Sequence, residues 1–228
     1  MAMTTANEVP NDSGTAGEAR VAGIVLVAAT LLSILMMAHH PSASTHDPAS
    51  LAADIASTAT LSRVVHGVLI ALIGFELYAF VVFAGRLAAG RSAARAGVVA
   101  YAIGSGAMIG AALISGFVVS SLGIYYAGVA DPAPFVDFAR LSMTGNQALA
   151  KLGVIATSAA IVLWAIALLH DSKRARWLAI VGFATGLAPA LALLAGWIRL
   201  DVHGMLIVVL AQALWNLAAG TELIRGRI

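Results

Sequence analysis

Six stretches of nearly continuous apolar residues alternate with short polar segments along the 228-residue chain. They cover about 21–38, 64–85, 97–122, 147–169, 177–197 and 203–222. Each is close to the ~20 residues an α-helix needs to cross a ~30 Å hydrocarbon layer. The pattern predicts an all-α, polytopic membrane protein built as a six-helix transmembrane bundle over residues 21–228. Residues 1–20 are polar, aperiodic and contain Gly and Pro, so they read as a disordered tail. The first span reads as a retained helix. A cleaved signal wants a basic start, and here Glu8, Asp12 and Glu18 precede the single Arg20.

The polar segments between spans differ in kind. Asp47-Pro48 and Asp131-Pro132 each pair an N-cap residue with a proline suited to the first helical turn. After Asp131, the residues Phe135, Phe138 and Ala139 fall on one helical face, which predicts short helices lying at the outer interface. Tyr125 and Tyr126 suit an aromatic belt at the same level.

Orientation follows from the basic residues, which are retained on the cytoplasmic side. With the N-terminus inside, that side holds Arg20, Arg86, Arg91, Arg95, Lys173, Arg174, Arg176, Arg225 and Arg227. The outer side holds Arg63, Arg140, Lys151 and Arg199. The expected setting is a cell membrane, a bacterial inner membrane foremost, with both termini cytoplasmic and the lipid bilayer as the first partner.

Composition supports this reading: 61% of residues are hydrophobic and 11% charged, against roughly 25% charged in an average soluble domain. The net charge of +2 is carried in short clusters between spans, which does not suggest nucleic acid. With no cysteine, disulfides, thiolate zinc sites, iron–sulfur clusters and c-type haem attachment are excluded.

Small residues recur four apart in the third span (Ala102, Gly106, Gly110; Ala112, Gly116, Ser120) and in the fifth (Gly182, Gly186, Ala190, beside Pro189). Such ridges let helices approach closely in lipid, within the bundle or in a homodimer. The second and sixth spans open alike, Val65-His66-Gly67 and Val202-His203-Gly204, a weak sign of duplication.

Candidate chemistry concentrates on the outer side, where His39, His40, His46, His66 and His203 stand against His170 alone on the inner side. Asp47, Asp54 and Asp201 fall at a similar level. Imidazole is the commonest ligand of zinc, copper and nickel and an axial ligand of haem. A divalent metal site would draw on His39, His40, His46, His66, His203 and Asp201, whereas a haem b site would take His66 and His203 as its axial pair. The bland alternative is that these rings are simply comfortable at a membrane interface.

Glu76 lies ten residues past His66, about 15 Å deeper in a helix and so near the bilayer centre. A carboxylate there is expected protonated, paired or beside water, and intramembrane acids mark proton and substrate pathways. Its expected partners are Gln212 and Asn216 in the sixth span, or Thr157 and Ser158 in the fourth. Lys151 either snorkels to the outer surface or lines an outward cavity with Arg63, Arg140 and Arg199. Trp164, Trp177, Trp197 and Trp215 read as packing and interface anchors. No metalloprotease helix, phosphate-binding glycine loop or nucleophile elbow is present.

Three functions are compatible with these features. One is an outward-facing metal or b-type haem site for redox chemistry, sensing or metal handling. Another is a non-catalytic accessory subunit or interaction protein in a membrane complex. The last is a small proton-coupled transporter using Glu76. An enzyme acting on lipid-phase substrates would need the histidines to hold a metal with an open position.

Overall fold

The computed structural model describes residues 12–41, 47–87, 90–129, 131, 133–171 and 176–228. Among the described residues there are seven α-helices: α1 (Asp12–Ala38), α2 (Pro48–Arg86), α3 (Arg91–Leu113), α4 (Ser120–Tyr126), α5 (Ala133–Asp171), α6 (Arg176–Leu194) and α7 (Val202–Ile224). A π-helical segment, Ile114–Val119, joins α3 to α4 without a break. The result is six helices long and apolar enough to cross a membrane. The six-helix bundle expected from the hydropathy pattern is therefore the observed architecture.

Two expectations about helix ends are corrected. The helix of the first span begins at Asp12, nine residues before the expected start, and Ala19 within that extension is buried. The expected short interfacial helices are instead the first turns of long, continuous ones. Both α2 and α5 have 39 residues, or about 58 Å at 1.5 Å per residue, nearly twice the hydrocarbon thickness. Their projecting ends are held together by Ala52, Phe135 and Ala139, with Ile55, Leu122 and Tyr126 packed around them.

The helices form a closed ring in chain order. Each packs on its neighbour in sequence, with α3 on α5 and α5 on α6 among the closest contacts, and α7 returns to pack on α1. Small residues close that seam: a Cβ added at Gly23 would lie 2.6 Å from the Gly220 carbonyl oxygen. In lipid, such backbone approach replaces the hydrophobic drive as the source of attraction. The fifth-span ridge also works within the bundle, since Gly182 faces Trp215 and Gly186 faces the Ser158 carbonyl. On α3 the packed glycines are Gly97, Gly104 and, against Leu149, Gly110, whereas Ala102 and Gly106 are exposed.

The two halves of the ring differ. Toward the ends carrying Arg86, Arg91 and Arg225, the centre is solid. Phe80 stacks on Trp164 with centroids 4.5 Å apart, and Phe83 meets Trp215 edge-on at 5.9 Å. Leu26, Leu87, Leu168 and Leu223 complete this core. Trp177 and Trp197 are exposed, so the four tryptophans divide evenly between packing and surface positions. Toward the other end, the centre is hollow.

Candidate functional site

The hollow half encloses a cavity of about 600 Å³, within the ~300–1,000 Å³ usual for small-molecule sites. Among the described residues, its walls come from α1, α2, α3, the π-helical segment, α4, α5 and α7, with none from α6. Most of the lining is apolar. The polar groups lie in three tiers.

Glu76 forms the floor, buried in the last third of α2. Its expected partners were the amides and hydroxyls of the fourth and sixth spans, but its hydrogen bond comes from α3: Tyr101 Oη donates to Glu76 Oε2 at 3.0 Å. Thr30 and Ser33 of α1 approach the same carboxyl. Gln212 instead donates from Nε2 to Thr157 Oγ1 at 3.0 Å, while Thr157 spends its own proton on the Gly153 carbonyl at 2.9 Å. Asn216 is buried in the lining below Gln212. Among the described residues, the buried hydroxyl of Ser105, which lines the cavity, has no hydrogen-bond partner. Unpaired buried polar atoms are rare in folded proteins.

Tyr101 was missed from the sequence, although a signal for it was there. Glu76 lies ten residues before Arg86 and Tyr101 ten residues after Arg91. Two antiparallel helices anchored by those basic ends must hold the pair at equal depth.

The middle tier rests on the π-helical segment. The extra residue of a π turn disturbs the backbone ladder, and such turns concentrate at functional sites. Here Asn146 of α5 reaches across, its Nδ2 donating to the Ala111 carbonyl at 2.8 Å and to Ser115 Oγ at 2.7 Å. Beside it, Gln147 Nε2 donates to the Leu200 carbonyl at 2.7 Å, which fixes the loop entering α7.

At the mouth, His40 follows the end of α1 and His66 faces it from α2, with Nε2 atoms 3.1 Å apart. Gly116 of the π-helical segment lies directly against His66. This glycine, read as part of a packing ridge, is therefore the seat of a histidine. Burial holds the His40 imidazole below its ordinary pKa, opposed by the Pro41 carbonyl that accepts from Nδ1.

The remaining candidates do not join this pair. His39 is exposed and bonded to the Leu35 carbonyl at 2.9 Å. His203 is exposed and absent from the cavity wall, so it does not share a space with His66, and the axial haem pair is not assembled. Asp201 caps α7 by accepting from the Gly204 amide at 2.8 Å and lies at the cavity rim. His46 falls outside the described residues. Among the described residues, no three His, Asp or Glu side chains stand together as a metal site. Of the four outer histidines that are described, His40 and His66 line the cavity, while His39 and His203 are exposed.

Lys151 is exposed on α5, beside Arg140 and Thr144 around a separate shallow depression. The cavity wall contains no Lys or Arg among the described residues, and its carboxylates are Glu76 and Asp201. The cavity the ring encloses is thus not one lined by Lys151, Arg63, Arg140 and Arg199. No family model, curated protein or solved structure matches the chain.

Proposed function

We propose that the chain is a small proton-coupled permease in an outward-open arrangement. Its substrate is a small organic molecule, largely apolar, with one cationic or hydrogen-bond-donating end. The observation that carries this reading is the cavity running from the histidine level to the buried Glu76 carboxyl. Its walls are largely apolar, its charged groups are acidic, and the unpaired Ser105 hydroxyl lines it. An intramembrane carboxyl at the end of such a path is the group able to exchange a proton for a substrate. The aromatic core of Phe80, Phe83, Trp164 and Trp215 is then the closed inner gate. The basic loops lie at the gate end, so the mouth opens to the outer side of a cell membrane with both termini inside.

The test uses the absence of native cysteine. A Ser105→Cys variant carries the chain's one thiol, and a membrane-impermeant maleimide added to oriented vesicles should label it from the outer side alone. Dicyclohexylcarbodiimide should form an adduct at Glu76 that is lost in Glu76→Gln. In proteoliposomes, uptake of the lipophilic cation tetraphenylphosphonium should depend on a proton gradient and vanish in the same variant. A Ser105→Cys thiol closed to maleimide, with Glu76 unreactive, would sink the cavity and the permease together.

A further inference from the structure

The tautomers of His40 and His66 are fixed by their surroundings. His40 Nδ1 lies 2.8 Å from the Pro41 carbonyl oxygen, and His66 Nδ1 lies 2.7 Å from the Ser62 carbonyl oxygen. A carbonyl oxygen only accepts, so each Nδ1 carries a hydrogen and donates it. In the neutral rings, both Nε2 atoms are then bare lone pairs. These atoms face each other at 3.1 Å, a separation two acceptors do not hold unless a positive charge lies between or beside them. The rings meet edge to face, with centroids 4.7 Å apart and planes at 72°, a contact that does not itself require the two lone pairs to face each other.

Three features turn this conflict into a metal-ligand geometry. Donation from Nδ1 to a backbone carbonyl is the outer bond that orients a metal-binding imidazole and raises its basicity. Two nitrogens 3.1 Å apart, each ~2.05 Å from one ion, subtend about 98° at it, between the octahedral and tetrahedral values. Both rings also line the cavity, which leaves room for further ligands.

We propose that His40 and His66 are the protein ligands of one transition-metal ion of the zinc, copper(II) and nickel class, held at the cavity mouth. Water or the cavity's own ligand completes the coordination. The donor set is two imidazoles in a chain without cysteine, which suits these ions over thiolate-seeking copper(I). The ion ties the end of α1 to α2 across the rim. Nothing in this assignment requires Glu76, so it stands apart from the permease reading.

The experiment is zinc and copper(II) titration of the full chain, purified in detergent through a tag without histidine. Calorimetry is expected to show one ion per chain, with copper(II) electron paramagnetic resonance reporting two nitrogen ligands. His40→Ala and His66→Gln are expected to weaken binding by about tenfold or more, since each removes half the protein ligands. His39→Ala, His203→Ala and Glu76→Gln are expected to bind as the wild type does. No saturable binding by the wild type would overturn the assignment and leave the two rings sharing a proton. So would equal losses in His39→Ala or His203→Ala. Metal-free protein whose Ser105→Cys thiol still labels would overturn this inference alone, whereas metal-binding protein with a closed cavity would overturn only the permease.

Discussion

Gly116→Ala tests whether the π-helical segment exists to seat His66. A Cβ at this position would collide with the His66 Cβ and lie 2.6 Å from its Cγ. Ordinary carbon contacts fall at ~3.5–4.0 Å, so the ring or the segment must move by about 1 Å. His66 is only 4% exposed, which leaves the cavity as the direction of least resistance. Overpacking of this kind costs ~1–3 kcal/mol, and the thermal midpoint in detergent should fall accordingly. The same shift would carry His66 Nε2 away from the 3.1 Å geometry with His40, and misplacing a ligand through its support typically lowers metal affinity by ~10–100-fold. Gly106→Ala is the matched control. Both glycines belong to small-residue ridges of one span, but a Cβ at Gly106 meets nothing within 4 Å, so it should leave both measurements unchanged. If Gly116→Ala melts and binds zinc like Gly106→Ala, the seating argument is wrong.

Two further substitutions probe how the ring and the cavity wall are held. Gly23→Leu drives a branched side chain into the Gly220 carbonyl and Ile224, opening the α1–α7 seam; it should cause the largest loss of detergent stability of the three and expose α1 to limited proteolysis, and a stable, protease-resistant variant would refute ring closure at that seam. Asn146→Leu removes the donor to Ser115 Oγ and leaves the Ala111 carbonyl with the Ile114 amide alone, which should cost ~0.5–1.5 kcal/mol for each hydrogen bond lost; an unchanged midpoint would mean that water already serves the turn.

The bundle was legible because hydropathy and length alone decide whether a helix fits a bilayer, and the spans around residues 64–85 and 203–222 fell where α2 and α7 run. Distance along a helix was legible for the same reason: counting residues set Glu76 about 15 Å along α2 from His66, and both line the cavity. Rotation about each helix axis was not. It depends on which neighbour a face meets, and nearly every face of these spans is apolar. Thus His203, matched to His66 in local sequence and depth, came out exposed, while Gly104 rather than Gly106 took the close contact on Thr157. The π-helical segment adds a local change of phase that no fixed 3.6-residue period anticipates. Extension of α2 and α5 beyond the bilayer was hidden differently, because their first turns look amphipathic and gain their partners only from one another.

A ring that is hollow at one end and solid at the other must divide its interior by a boundary, and Tyr101 is that boundary. Its hydroxyl donates upward to Glu76 at 3.0 Å. Its ring packs downward, 4.8 Å from Phe80 and 5.5 Å from Trp164, the two members of the central stack. Trp164 is in turn pinned to the wall by donating from Nε1 to the Ala94 carbonyl at 3.1 Å, and its indole fills the space a side chain at Gly97 would need. A molecule that takes over the Glu76 oxygen now bonded to Tyr101 leaves a buried hydroxyl without an acceptor, at a cost of ~1–3 kcal/mol. Tyr101 thus touches both the carboxyl at the cavity floor and the aromatic stack that fills the solid half, so Tyr101→Phe should remove the hydrogen bond to Glu76 and leave the stack in place.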